Sequence, residues 1–173
     1  MASELFVDKI YPGPNSTSVE VNATSSFVVK TNGSTQLTID SAGRLLTPNR
    51  PYFYARGENT NTTSGTIPYT LVDYNVGGHY NSSTKTFTAP ISGLYSITFQ
   101  FFAQNNNAGG CDLTVNGVLT LRSGREASET YYEGFSNAIN KYLSVGDTVT
   151  VQWYNGSVHT NTPYSHFSAY LVG

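Results

Sequence analysis

Large apolar and small polar residues alternate one by one along much of the chain. Between Leu94 and Phe102, Tyr95, Ile97, Phe99 and Phe101 fall on one side while Ser96, Thr98 and Gln100 fall on the other. A period of two is that of a strand with one buried face. Thr148–Trp153 and Phe167–Leu171 repeat it with the β-branched and aromatic residues that suit a pleated surface. Asn116-Gly117 lies between two apolar runs, and both central positions of a two-residue hairpin turn need positive φ, which Asn and Gly tolerate best. No window carries a helical stripe. Many short strands punctuated by Gly, Asn and Ser predict an all-β chain, an antiparallel sandwich or jelly roll.

Within this pattern one set of spacings stands out. Tyr69 is followed after five residues by Asn75, after four more by Tyr80, after six by Phe87 and after five by Gly93, which opens Leu94-Tyr95-Ser96-Ile97-Thr98-Phe99. This resembles the signature of the C1q and tumour-necrosis-factor-like family, with Tyr69 and Ile97 where the family usually has Phe. Leu143–Val149 is similar to the family's turn into its penultimate strand, and Phe167–Val172 to its closing strand. The resemblance covers roughly residues 48–173. It implies a jelly-roll head that assembles as a homotrimer, with Tyr69, Asn75, Tyr80, Phe87, Gly93, Tyr95, Ile97, Phe99, Trp153 and Phe167 as signature and core positions.

Residues 1–47 have a different grain. Val19–Asn22, Phe27–Thr31 and Gln36–Asp40 read as short strands separated by Asn32-Gly33 and Ala42-Gly43. Each carries two or three large apolar residues, too few for a core within one chain. Such strands need partners, and Phe27, Val29, Leu37, Ile39 and Leu45 are the expected contacts of a three-chain β-stem. The segment from Lys30 to Leu46 resembles the strand-turn-strand repeats of bacteriophage tail fibres, and Met1–Ile10 is similar to the starts of structural proteins from marine and cyanobacterial phages. Pro48 and Pro51, which cannot donate to a ladder, mark the junction to the head.

Composition narrows the function. Charged residues make up 12% and the formal net charge is -2, with the nine Lys and Arg scattered singly, so a nucleic-acid partner is not expected. The single cysteine, Cys111, allows no intrachain disulfide and reads as a buried strand thiol. No apolar run is long enough to span a membrane, and the first residues lack a basic segment followed by an apolar one, so synthesis in a cytoplasm without a standard export signal is expected, and the phage resemblance implies a virion as the setting. The six Asn-x-Ser/Thr triplets then follow from a chain rich in these residues.

No catalytic constellation is visible. His79, His159 and His166 stand apart from carboxylates, and neither a Gly-x-Ser-x-Gly elbow nor a glycine-rich phosphate loop occurs. The family resemblance implies that some members hold calcium near the trimer axis, which requires converging carboxylates. Asp112, Glu126 and Glu129 are the acids near expected loops that could serve and none is compelling, so calcium is left unsupported and no cofactor is expected. Thirteen Tyr interspersed with Asn, Ser and Gly favour recognition, about half of them filling sandwich and trimer cores. The expected recognition loops are Gln104–Gly110, Ser123–Gly134 and Tyr154–Tyr164, with Asn105, Asn106, Asn107, Tyr131, Tyr132, Tyr154, Asn155 and Tyr164 as their candidate contacts, and sugar hydroxyls suit such amides and ring faces. The sequence therefore predicts a non-enzymatic, trimeric phage virion protein whose head adheres to a host-surface glycan. The alternative is a capsid decoration protein that stabilises the particle. A secreted C1q-like ligand is less favoured, for want of a signal or a collagen repeat.

Overall fold

A computed structural model of the protein describes residues 25–103, 108–125 and 130–173. These divide into two compact units, one ending at Pro48 and one running from Asn49 to Gly173. The expected strand Val19–Asn22, the segment Met1–Ile10, Asn105, Asn106, Asn107, Glu126 and Glu129 lie outside the described residues.

In the first unit β1 (Phe27–Thr31), β2 (Ser34–Ile39) and β3 (Leu45–Leu46) form an antiparallel three-stranded sheet. Asn32 and Gly33 connect the first two strands at φ of 50° and 78°, the left-handed pair that matches strand twist. Asp40 ties the second connection, its carboxylate accepting from the Ala42 and Arg44 amides and from Arg44 Nε at 2.7–2.9 Å. The sheet has no interior of its own. Val28, Val29, Ile39, Leu45 and Leu46 are 40–62% exposed, and Phe27 and Leu37 are half-buried.

The second unit is a sandwich. Its smaller sheet runs in the order β11 (Val118–Arg125), β10 (Gly109–Val115), β13 (Thr148–Gly156), β8 (Thr86–Thr88), β7 (Tyr80–Asn81). The larger is centred on β9 (Gly93–Ala103), which pairs along its whole length with β12 (Glu133–Leu143). Along the other edge of β9 lie β15 (His166–Leu171), against Tyr95 to Gln100, and β14 (Val158–Thr160), against Phe102 and Ala103. Beyond β15 come β4 (Tyr52–Arg56) and β6 (Leu71–Val76), and beyond β14 comes β5 (Thr60–Thr62). All pairings are antiparallel, and among the described residues there is no helix. The expected all-β sandwich is present, and Asn116 and Gly117 turn the hairpin between β10 and β11 at φ of 52° and 76°.

Between the sheets lie Phe53, Tyr69, Tyr80, Phe87, Tyr95, Ile97, Phe99, Phe101, Leu113, Val149, Val151 and Phe167, each no more than 3% exposed. Phe53 stacks on Tyr80 with ring centres 4.3 Å apart and meets Phe167 edge-on at 4.9 Å, geometries that the ring quadrupole favours. Buried hydroxyls keep partners: Tyr80 donates to the Tyr69 carbonyl at 2.7 Å, Tyr69 to that of Gln100 at 3.0 Å and Tyr95 to that of Ile91 at 2.9 Å. Burial pushes the Tyr69 and Tyr80 phenols above their ordinary range, so both stay neutral donors. Cys111 is buried, and its thiol is pushed up by burial and by Asp112.

Two signature residues act through the backbone. Asn75 is half-buried; its amide donates to the Tyr80 carbonyl at 2.8 Å while its Oδ1 accepts from the Tyr80 N–H at 3.1 Å, pinning the turn between β6 and β7. Gly93 lies beside the chain's last residues, where the Leu94 N–H donates to the Gly173 carbonyl and the Val172 N–H to that of Leu94. A Cβ there would lie 2.7 Å from Leu171 Cδ1 and 3.0 Å from the Gly173 carbonyl oxygen, so a side chain would have to displace both.

Two expectations need correction. Trp153 is half-buried and packs against the core cluster rather than lying within it, its indole N–H donating to the Gly156 carbonyl at 3.0 Å. Among the described residues Tyr69, Tyr80 and Tyr95 fill the core within the chain. The expected loops are also shorter, since Ser123 belongs to β11, Gly134 to β12, and Tyr154 and Asn155 to β13. Their Asn/Gly/Ser composition reads as turn, but ladder pairing with β9 and β10 carries the strands through it.

Candidate recognition surface

The surface features that could bind something lie mainly on the outer face of the larger sheet. Register places its outward side chains in rows across the strands. Tyr52, Tyr170, Ser96 and Asn140 make one row, with Tyr54, Ser168, Thr98 and Ala138 in the next and Arg56, His166, Gln100 and Ser136 beyond them. Tyr74 flanks the first rows, its ring centre 6.2 Å from that of Tyr52. Tyr52, Tyr74 and Tyr170 are 41–59% exposed, an unusual aromatic content for an open face. Tyr142 and Leu94, opposite each other on β12 and β9, extend it.

Polar groups on this face are largely paired. Arg56 holds Asp73 through two bonds of 2.6 and 2.8 Å, which keeps the Asp73 carboxyl below its usual range. Thr98 shares a 2.6 Å bond with Ser168, and His166 stacks on Tyr54 at 5.3 Å with Nε2 3.4 Å from the Thr98 hydroxyl.

At the far end of the face is a pocket of about 340 Å³ lined by Phe102, Tyr132, His159, Asn161 and Tyr164. Phe102 and His159 are neighbours in the β9–β14 ladder. Phe102 leans over β12 where Gly134 leaves room: a Cβ on Gly134 would stand 3.1 Å from its ring. Tyr164 meets Phe102 edge-on at 6.0 Å and Tyr132 lies 5.7 Å from the His159 ring. Asn61 Oδ1 is 2.7 Å from His159 Nδ1 and can only accept, so the proton sits on Nδ1 and Nε2 is left as an acceptor. Tyr164 is placed by the turn Asn161–Ser165, where the Tyr164 and Ser165 amides donate to the Asn161 carbonyl and Ser165 Oγ accepts from the Asn161 N–H.

Of the expected recognition residues, Tyr132 and Tyr164 meet in this pocket. Tyr131 is exposed beside it in sequence, while Tyr154 and Asn155 are elsewhere, on β13 of the smaller sheet. There the Arg122 guanidinium sits 3.5 Å from the centre of the Tyr154 ring and binds both oxygens of Asp112 at 2.7 and 2.8 Å. Asp112 is thus an ion-pair partner. Among the described residues no group of three His, Cys, Asp or Glu is placed to hold a metal ion. Phe102 was not expected in a site, whereas His159 and Asn161 fall within the expected loop Tyr154–Tyr164 without having been singled out. One signal existed: Phe101 and Phe102 are consecutive, so a strand that buries the first must expose the second.

Burial lowers the pKa of both His159 and His166 from an ordinary 6.5. The folded chain therefore binds fewer protons than the unfolded one at these positions, so their contribution is intact above pH 6.5 and is lost as pH falls through it toward the lower folded values. The midpoint of urea unfolding should hold steady from about pH 8 to about pH 7 and then fall toward about pH 5, and His166→Gln should flatten the fall. An unchanged slope in that variant would place the acid sensitivity elsewhere.

The geometry has solved counterparts. The chain is similar to the globular domain of zebrafish complement 1qA protein (16% identity, TM-score 0.59, 72% of this chain and 98% of that one). It is also similar to murine APRIL (13%, 0.59, 71% and 99%) and to Eiger TNF from S. frugiperda (13%, 0.53, 72% and 94%). At such identities the likeness carries the fold alone. The sequence itself goes further, because the C1q domain profile matches residues 52–172, from the first strand of the sandwich to the end of the last, and on that match the chain belongs to the C1q domain family.

Proposed function

We propose that the protein is a non-enzymatic homotrimer of fibre-like build, part of a bacteriophage particle, whose N-terminal arm attaches it and whose head adheres to a glycan on the host surface. The observation that carries this reading is exposed apolar area on both units. Large apolar residues on both sides of the β1–β2 turn are open to solvent, as is the aromatic face around Tyr52, Tyr74 and Tyr170. Packing three copies through these surfaces would cover them, with Phe27, Val29, Leu37, Ile39 and Leu45 meeting in the stem and the aromatic rows around Tyr52, Tyr74 and Tyr170 meeting in the head. Aromatic residues are enriched at the centres of such interfaces. The phage setting rests on the likeness of the Lys30–Leu46 segment to tail-fibre repeats.

A second reading, a capsid decoration protein, uses the same fold and the same exposed surfaces, with the value of the protein lying in particle stability. Labelling the protein with head-specific antibody fragments on imaged particles tests both. Density at the tail supports adhesion, density over the capsid lattice supports decoration, and no density on any particle would remove the virion reading.

A further inference from the structure

The pocket at the end of the larger sheet has features that a trimer contact does not need. We propose that it holds one ring of a neutral pyranose sugar, a reading that rests on host adhesion and names its ligand. At about 340 Å³ it falls at the small end of ligand sites. Phe102, Tyr132 and Tyr164 supply three aromatic surfaces against which the C–H face of a pyranose can lie. The polar groups complete the match. His159, neutral and fixed by Asn61, presents an Nε2 acceptor, while the Asn161 side-chain amide makes no hydrogen bond among the described residues and offers both a donor and an acceptor.

The lining excludes other ligands. None of Phe102, Tyr132, His159, Asn161 and Tyr164 carries a fixed charge, so a sialic acid, sulfate or phosphate would be desolvated without a cation to pair it. A purely apolar ligand would strand the Asn161 amide, at the cost of an unpaired polar group. A sugar, with hydroxyls on its rim and C–H bonds on its face, satisfies both. Position also fits. Phe102 lies six residues along β9 from Ser96, which is level with Tyr52, so the pocket is about 20 Å along the strand from where the head begins.

The test uses the full-length chain on an array of neutral and acidic glycans, with saturation-transfer NMR against methyl galactoside, methyl mannoside, N-acetylglucosamine and sialic acid. Binding should be confined to neutral rings, and Tyr164→Ala and Asn161→Ala should each weaken it about tenfold or more, while Tyr164→Phe keeps it and all three variants keep the parent's mass in solution. Binding confined to acidic glycans, no binding, or binding untouched by both alanine variants would overturn the proposal. So would a fall in oligomeric mass in those variants, which would make the pocket a contact between copies. Host adhesion that persists without sugar binding sinks the pocket and leaves adhesion standing. Sugar binding that is lost in both variants with no effect on attachment supports the pocket and sinks adhesion.

Discussion

Phe99→Ala should lower the free energy of unfolding by about 3–5 kcal/mol, the usual result of truncating a fully buried aromatic. Phe99 lies at the centre of the central strand, opposite Phe167 on β15, with its ring stacked on Phe101 at 6.2 Å. The cavity would open in the middle of the sandwich, where the facing strands are least free to close it. Urea titration should show a lower midpoint with an unchanged slope. A loss below about 1 kcal/mol would mean that the other set of β9 side chains faces inward.

Removing residues 1–48 should leave the head folded and abolish incorporation into particles. The whole buried cluster, from Phe53 to Ala169, lies after that point, and the unit beginning at Asn49 is compact by itself. Circular dichroism should keep its β signature and a cooperative melt. If the shortened chain enters particles as well as the full one, the arm is no anchor and docking comes from the head. If it does not fold, the arm is part of the head's core, which the positions of the buried residues argue against.

What could be read from the chain was local. The period of two in β9 placed Tyr95, Ile97, Phe99 and Phe101 inward because alternation is fixed by the pleat, and Asn116-Gly117 announced its turn because few other pairs tolerate its backbone angles. Signature spacing located Asn75 and Gly93, whose reasons are spatial: one clamps Tyr80 and the other lets Leu171 and Gly173 approach closely. The pocket was legible only in part: Tyr132, His159, Asn161 and Tyr164 fall in two expected loops, but that these loops meet each other and Phe102 follows only from the ladder order. Tyr154 and Asn155 were misplaced for the opposite reason. Their composition is that of a turn, and only pairing with β10 shows them to be strand.

Three copies of the chain are the centre of this account, and light scattering coupled to size-exclusion chromatography at micromolar concentration measures that number directly. The predicted result is a single species of three times 18.8 kDa. A species of 18.8 kDa would contradict it, for then the aromatic face of the head and the apolar residues of the arm would stay open to water with nothing to cover them.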